Sequence, residues 1–393
     1  MINVSHCKGK KRFITFQPDN PGMAIEEVRE FVEKEVGRWS NEIDRRNLIP
    51  EQLLREMASL GLFGLTIPKE YGGKGISVNG FLEVLELVSK ECPSIAHVIF
   101  LHSMAYDILL KFGSDGLKER YLPEIATGRR ILALPFTEPK SGTDLAAVEL
   151  KATREGDFYV LNGVKTLATN GIYAGLFVVL ARTREQEGHK GLTLFLVEKE
   201  DGVASTEPLD LMSSRGAGVS ILKFENVRVH KNRIIGSEGK GFILAVKGLA
   251  LGRVPFSSIA IGIAKCALEE AVKWSLKRKS FGRPIFENQA ISFPLAEIAA
   301  ELEAVRALRD ELGTRIERGD IPVAEASMVK LLSSELAVKA TRLAIQVMGG
   351  WGLSSSVKVS RLYRDAKALE IAEGTSEAQK MIIARQLLKK YKR

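Results

Sequence analysis

The chain has 393 residues, of which 45% are hydrophobic and 27% are charged, and its formal net charge is +9. This composition is typical of a globular protein and excludes disorder, collagen-like repeats and low-complexity arrays. No basic stripe interleaved with aromatic residues indicates nucleic-acid binding. The surplus of Lys and Arg therefore fits a solvated surface or a phosphate-bearing small molecule.

Residues 1–23 are predicted to be a tail without the apolar core of a signal peptide. No run of 18 apolar residues occurs, so we expect no membrane span and a soluble, cytoplasmic protein. Cys7, Cys92 and Cys266 are too far apart in sequence for a disulfide framework or a metal site, which weakly indicates a reducing compartment.

Residues 24–131 are predicted to form an N-terminal helical domain. Apolar residues recur at the period of an amphipathic helix, as in Phe81, Leu85 and Val88. Turn signals such as the glycine pair at 72–73 separate the helices.

Residues 132–238 are predicted to form a β domain. Short apolar runs such as 192–197 alternate with Gly, Asn and Asp. Asn162-Gly163 predicts a hairpin turn, and residues 169–171 predict another turn.

Residues 239–393 are predicted to form a C-terminal helical domain. Apolar stripes at helical spacing begin near Ile263, Leu295 and Met328, and a further helix begins near Ser376, which together indicate a four-helix bundle. The predicted helical and β segments follow one another along the chain and do not alternate. The predicted fold class is therefore α+β, with an N-terminal all-α domain, a middle β-barrel or sandwich and the C-terminal bundle.

Several common site motifs are missing from the sequence. No G-x-G-x-x-G follows a predicted strand and there is no P-loop, which argues against a Rossmann enzyme or a P-loop NTPase. The five histidines are not paired at metal-ligand spacing, so no metal site is predicted. His102 beside Ser103 lacks the context of a nucleophile and is expected in a helix.

Four segments are unusually rich in glycine, hydroxyl or charged residues. They are residues 136–144, 162–171, 278–284 and 346–376. Hydroxyls and backbone amides in the first segment could bind a ring or a phosphate, although a capped loop has the same composition. Arg278 suits a helix C-terminus as well as a phosphate. Glu373 precedes Gly-Thr-Ser, so it lies just outside a helix cap or is a positioned base.

Taken in this order, the segments resemble the acyl-CoA dehydrogenase family. The resemblance covers about residue 24 to the C-terminus, and the family's helical, β and bundle domains match the predicted order. It rests on the motifs T-E-P-x-S-G-T-D (137–144), N-G-x-K-x-x-x-T-N-G (162–171), R-G-A-G-V-S-x-x-x-F-E-N-V-R-V (215–229), G-x-G-F (239–242), R-K-S-F-G-R-P-I (278–285), N-Q-A-I-S-F (288–293), Q-V-M-G-G-W-G (346–352) and E-G-T-S (373–376).

The resemblance implies FAD-dependent α,β-dehydrogenation of a saturated acyl-CoA to the trans-2-enoyl thioester. Glu373 matches the family's base, which removes the α-proton while the β-hydrogen leaves as hydride to FAD. Some members place their base just before the arginine that matches Arg253. The stretch Ala250-Leu251-Gly252 has no carboxylate, so Glu373 is the only base that this pattern offers.

The resemblance also implies binding residues and partners. The residues matching the family's FAD site are Phe136, Thr137, Thr143, Leu167, Thr169, Arg278, Ser280, Phe281, Gln289, Gln346, Gly349, Gly350, Thr375 and Glu377. Those matching its substrate site are Thr143, Arg253 and Gly374. Because some of the family's cofactor contacts come from a neighbouring subunit, we expect a homotetramer, a dimer of dimers. Electron-transferring flavoprotein is the expected electron acceptor. The expected role is fatty acid β-oxidation, in the cytoplasm or, in a eukaryote, the mitochondrial matrix.

Three positions depart from the family pattern. Leu167 stands where an aromatic residue is common against the flavin, Ala250 replaces an aspartate on the CoA side, and Ala372 replaces a tyrosine before the base. These departures admit other functions on the same fold: an acyl-carrier-protein dehydrogenase, an oxygen-using oxidase, a flavin monooxygenase or a non-enzymatic thioester-binding scaffold. The intact E-G-T-S and R-K-S-F-G motifs favour the dehydrogenase.

Overall fold

The structure is a computed structural model that describes residues 21–392, except for the side chains of residues 21–24 and 186–187. Residues 1–20 of the predicted tail, with Cys7, lie outside the described residues. Residues 21–23 belong to the first helix.

The N-terminal part of the chain is helical, as predicted. Its helices are α1 (Pro21–Phe31), a π-helical turn (Val32–Val36), α2 (Gly37–Arg46), α3 (Glu51–Ser59), α4 (Val78–Glu91), α5 (Pro93–Phe112) and α6 (Asp115–Ala126). Ser77 and Ser114 cap α4 and α6, because their hydroxyls accept the backbone N–H groups of the first turn.

The middle part of the chain is a mixed β-sheet. Its strands are β1 (Ile131–Ala133), β2 (Lys151–Glu155), β3 (Phe158–Ala168), β4 (Ala174–Arg182), β5 (Leu192–Glu198), β6 (Ala204–Ser205), β7 (Ser220–His230) and β8 (Ile234–Ile235). The strand order is β6-β7-β3-β2-β4-β5-β8, and β1 pairs in parallel with β4. Alternate residues of β4 enter two cores: Leu176 and Val178 pack with the N-terminal helices, whereas Phe177 and Val179 pack within the β domain.

The predicted hairpin turn at Asn162-Gly163 is wrong. Both residues lie inside β3, where the pairing with β7 shifts register between Leu161 and Gly163. Gly163 has φ of 148°, and a Cβ there would lie 3.1 Å from the Cα of Leu150. The glycine therefore allows a bulge where two backbones approach closely, and Asn-Gly alone does not distinguish a bulge from a turn.

The C-terminal part of the chain is a helical bundle. It contains α7 (Gly241–Lys277), the short strands β9 (Lys279–Ser280) and β10 (Arg283–Pro284), α8 (Gln289–Glu317), α9 (Val323–Met348), α10 (Lys358–Leu369) and α11 (Ser376–Tyr391). The four predicted helices are present, and α10 is an additional helix that packs on α7 and α9. Its polar residues bind α2: Arg361 donates to Ser40 Oγ, and Arg364 pairs with Asp44. Its apolar residues Val359, Leu362, Ala366 and Leu369 are also buried, on the same helix as buried Arg361 and Asp365.

Two helices, α5 and α7, are long and apolar enough to cross a membrane by length and composition alone. Of the most apolar stretch of α5, 72% is buried inside the fold, and of the corresponding stretch of α7, 56% is buried. Core helices have the same composition, so the absence of a membrane span stays a prediction.

Candidate active site

Glu373 lies in the turn that joins α10 to α11. Its backbone is left-handed, with φ of 56°, and Gly374 follows with φ of 90°. A Cβ on Gly374 would lie 2.8 Å from Gln379 Nε2, so the turn requires glycine there. Thr375 caps α11, since its Oγ1 accepts a 3.2 Å hydrogen bond from Ala378 N. The predicted helix start is thus confirmed.

Two buried side chains hold this turn from the bundle. Lys330 Nζ on α9 donates a 2.7 Å hydrogen bond to Gly374 O. Gln379 Nε2 on α11 donates to the same oxygen at 2.9 Å and to Glu373 O at 3.1 Å. Neither Lys330 nor Gln379 was predicted from the sequence to take part in the site. A lysine inside the apolar run from Met328 to Leu332 was the one signal for Lys330.

The surroundings of the Glu373 carboxyl group change its proton affinity. Its Oε2 is buried and has no hydrogen-bond partner among the described residues. Burial raises the pKa of Glu373 to about 7, although the charges of Arg253 and Lys330 oppose this shift. A carboxyl that titrates near neutral pH and lacks a fixed donor is suited to accept a proton.

Arg253 approaches this carboxyl from α7. Its side chain is buried, and its Nε has no partner within the described chain. Burial lowers the pKa of the guanidinium, whereas the charge of Glu373 raises it. Glu373, Gly374 and Arg253, which sequence analysis assigned to base and substrate, are therefore brought together by three helices of the bundle.

A second group of predicted residues lies at the end of β3. Thr166 N donates to Thr137 O at 2.9 Å, which places the loop after Phe136 beside the strand. Beneath it, buried Lys165 donates to Glu138 Oε1 at 2.7 Å and to Phe136 O at 3.3 Å. Burial lowers the pKa of Lys165 to about 8, with the charge of Glu138 acting against it. This ion pair fixes the backbone of the T-E-P loop.

The end of β3 presents Leu167 to solvent. Leu167 has φ of 53°, and 52% of its surface is exposed. The following turn holds Thr169 and is fixed by Asn170, whose Nδ2 donates to Val98 O and Leu132 O at 3.0 Å each. An apolar side chain is thus held at an exposed edge of the β domain.

The remaining predicted residues are on the surface. Arg278, Ser280 and Phe281 are exposed on the β9–β10 hairpin that follows α7. Phe281 is completely exposed and has φ of 50°. The other exposed residues are Thr143, Gln289, Gln346, Gly349, Gly350 and Glu377. Within the described part of one chain, no hydrogen bond or ion pair joins any of these surface residues to Glu373 or Leu167.

Several of these residues offer unused hydrogen-bond donors. The side chains of Thr137, Thr143, Thr169, Arg278 and Ser280 make no hydrogen bond or ion pair with any residue that the structure describes. Hydroxyl groups can bind a flavin ring and a guanidinium can bind a diphosphate. This donor set therefore fits FAD. Thr375 differs, because its hydroxyl is already used in capping.

The described residues include neither a cluster that could bind a metal ion nor an activated thiol. Across residues 21–392, no group of three His, Cys, Asp or Glu side chains could hold a metal ion. Cys92 and Cys266 are buried, and burial raises the pKa of each thiol to about 11, so neither is activated.

Models of three protein domains match consecutive parts of the chain. They are the acyl-CoA dehydrogenase N-terminal domain over residues 19–129, the middle domain over 133–227 and the C-terminal domain over 239–388. The match covers most of the chain and follows the order of helices, sheet and bundle described above.

Individual proteins are similar along nearly the whole chain. The 3-(aryl)acrylate reductase of Clostridium sporogenes is 39% identical, with 92% of this chain and 97% of that protein aligned. The human mitochondrial short-chain specific acyl-CoA dehydrogenase is 35% identical, with 95% and 92% aligned. The structure of butyryl-CoA dehydrogenase from Megasphaera elsdenii matches with a TM-score of 0.91 and 32% identity, covering 95% of this chain and 99% of that one.

Proposed function

The chain belongs to the acyl-CoA dehydrogenase family and is an oxidoreductase, and we propose that it oxidises the Cα–Cβ bond of an acyl-CoA thioester with Glu373 as the base. The observation that supports this proposal most strongly is the Glu373 carboxyl: a buried oxygen without a donor, with its pKa raised to about 7 by burial. At neutral pH such a group accepts and releases a proton readily.

Glu373, Gly374 and Arg253 each have a part in the proposed reaction. Glu373 removes the α-proton through its unpartnered Oε2 and holds it. Arg253 offers a buried positive charge near this carboxylate, which favours its ionised form and opposes the effect of burial. The rigid turn at Gly374 fixes the direction in which the carboxylate points.

We assign FAD binding to the residues that match the family's FAD site, because several of them have side-chain donors without a partner among the described residues. Thr137, Thr169 and Leu167 would hold the ring, and Arg278 with Ser280 would hold the diphosphate. FAD, when bound, accepts the β-hydrogen as a hydride. The other residues proposed to hold FAD are Phe136, Thr143, Phe281, Gln289, Gln346, Gly349, Gly350, Thr375 and Glu377. Phe136 would act through its backbone, since its side chain is buried.

We propose a compact acyl group as the substrate. Gly252 precedes Arg253 on α7, and a Cβ there would overlap Met104 on α5. The rings of Phe100 and Phe256 pack with their centroids 5.3 Å apart at this junction, so aromatic side chains bound the space beside Arg253. Phe100, Met104 and Gly252 also line a cavity there. Thr143, Arg253 and Gly374 would contact the thioester.

We propose that the active form is a homotetramer. Exposed apolar side chains occur on the bundle, including Leu276, Phe281, Phe293, Trp351 and Leu353. Contact with other copies would cover them, and would bring the exposed cofactor residues of one copy to the flavin of another. Electron-transferring flavoprotein is the proposed electron acceptor, and β-oxidation the proposed context.

Anaerobic titration of the flavin-loaded protein with acyl-CoAs of increasing length tests the function. We expect loss of flavin absorbance with short acyl-CoAs. Glu373→Gln should bind flavin and lower the reduction rate by about 10²–10⁴-fold. Glu335→Gln, an exposed carboxylate on α9, is the control and should behave as the wild type. Unchanged reduction in Glu373→Gln would contradict the proposed base.

A second candidate function is the reverse reaction, the reduction of an unsaturated acyl thioester. The similarity to a protein named 3-(aryl)acrylate reductase favours it. In that direction Glu373 delivers a proton to Cα of an unsaturated acyl thioester. Chemically reduced protein that is reoxidised by enoyl or aryl-acryloyl thioesters, but is not bleached by saturated ones, would establish this direction. Bleaching only by an acyl-carrier-protein thioester, or rapid reoxidation by oxygen, would instead establish the carrier or oxidase alternative.

A further inference from the structure

Lys330 is a buried cation without a counter-ion in contact. It lies within α9, and its whole side chain is removed from solvent. Its ammonium group donates to Gly374 O at 2.7 Å, and no salt bridge to Lys330 forms among residues 21–392. A buried charge without a paired carboxylate is destabilising, and an apolar side chain would pack at this position at lower cost. Packing therefore does not explain the lysine.

The charged groups around Lys330 come from four elements. Arg253 faces it from α7, Glu370 from the end of α10, Glu373 from the turn and Glu377 from α11. Of these carboxyls, Glu373 is the one whose proton affinity responds to Lys330, and its Oε2 atom is buried. The ammonium thus acts on the same turn in two ways, through the hydrogen bond to Gly374 and through its charge.

We propose that Lys330 is a positioning residue, which holds the Glu373–Gly374 turn from inside the bundle and favours the ionised form of the Glu373 carboxyl. The inference rests on the proposed role of Glu373 as the base. It assigns to α9 a part in the reaction without any contact to the thioester. Gln379 shares the Gly374 oxygen but carries no charge, so it can hold the turn without stabilising the carboxylate.

The protonation states are compatible with this role. Burial lowers the pKa of Lys330 to about 8, while the charge of Glu373 raises it. The opposite charges of Lys330 and Glu373 therefore favour the ionised form of each group. Removing the ammonium leaves the carboxylate with Arg253 alone, so its ionisation becomes harder.

Infrared difference spectroscopy of the flavin-loaded full chain measures the titration of Glu373 directly. The carboxyl band that disappears in Glu373→Gln identifies the group. In Lys330→Met and Lys330→Gln we expect its midpoint to rise by about one pH unit. It should stay in place in Lys330→Arg, which keeps the charge. Lys339→Met is the matched control, because Lys339 is exposed on the same helix and paired with Glu301.

Two further readouts separate positioning from folding. Backbone hydrogen exchange of residues 371–379 should quicken in Lys330→Met and not in Lys339→Met. The pH at which flavin reduction reaches half its maximum rate should follow the infrared midpoint in each variant. If Lys330→Met does not fold, Lys330→Gln carries the test, since it keeps a polar head group.

A Glu373 midpoint that stays at the wild-type value in folded Lys330→Met or Lys330→Gln would overturn the inference. If the midpoint moves while no acyl thioester reduces the flavin, the inference holds and the proposed function is wrong. If acyl-CoA reduces the flavin but the midpoint does not move, the proposed function holds and Lys330 has no such role.

Discussion

At the scale of residues, the Glu373 carboxyl group couples function to stability. Burial raises its pKa in the folded chain to about 7 from an ordinary value of 4.5. The folded state therefore binds this proton more tightly than the unfolded state does. This contribution to stability is complete below about pH 4.5 and is lost as the pH rises to about 7.

This linkage predicts how Glu373→Gln changes stability with pH. The amide stays neutral, so the variant should match the wild type near pH 4.5 and be more stable above pH 7. We expect a gain of about 1–2 kcal/mol, because partial exposure of the residue weakens the effect. Urea unfolding at several pH values measures it. Equal stability of the two proteins at pH 8 would show that the carboxyl group is not desolvated.

Of the residues in and around this turn, some were predictable from the sequence and others were not. Glu373 was found because E-G-T-S is a local string, and so was the cap at Thr375. Lys330 was not found, because 43 residues separate it from the turn and only the packing of α9 against α11 joins them. A lysine in an apolar stripe carries no information about which carbonyl it will meet.

At the scale of elements, α7 depends on glycine where it crosses α4. A Cβ on Gly262 would overlap Ser89 Oγ and Glu86 O, and the second of these is backbone. The carbonyl oxygen cannot move without disturbing the backbone of α4. Glu86 is also buried in ion pairs with Arg309 and Lys265, which tie α4 to α8 and α7. The crossing therefore fixes the bundle to the N-terminal helices.

Gly262→Ala should accordingly destabilise the protein by about 2–3 kcal/mol, because the two helices must separate. Gly116→Ala on α6 is the control, since a Cβ there meets nothing within 4 Å. The control should be neutral or stabilising by up to about 1 kcal/mol, as alanine favours helix. Thermal unfolding of both variants provides the comparison. Equal melting temperatures would exclude the tight crossing.

Elements with regular apolar spacing were predicted well, and the exceptions have physical reasons. The strands and the long helices of the bundle were identified because one or both faces are apolar. The extra helix α10 was missed because its four buried apolar residues, Val359, Leu362, Ala366 and Leu369, stand among charged residues in a helix of only 12 residues. The bulge in β3 was taken for a turn because glycine serves both structures.

At the scale of the whole molecule, one chain leaves the proposed cofactor residues in separate places. Arg278, Phe281 and Gln346 are exposed on the bundle, whereas Leu167 is on the β domain. Exposed Trp351 and Leu353 lie just beyond Gln346. In the proposed tetramer, other copies of the chain would complete the site, which would account for both the unused donors and the exposed apolar residues.

We therefore predict that sedimentation will give a mass four times that of the chain. Leu353→Lys should shift the protein toward smaller species and release flavin, because a charge would be buried at the contact. Val164→Lys, which changes an exposed apolar residue of β3, should leave the assembly intact. A flavin-loaded wild-type monomer would contradict the shared site.

The sequence by itself determined the order of helical, β and helical parts, the cap at Thr375 and the family. These features depend on periodicity and on short strings, which neighbouring residues encode. The tertiary structure alone decided which charges surround Glu373, that Lys330 and Gln379 hold its turn, and that Lys165 fixes the T-E-P loop from beneath. These contacts join residues distant in sequence, and a buried charge acquires its proton affinity only from the groups that folding places around it.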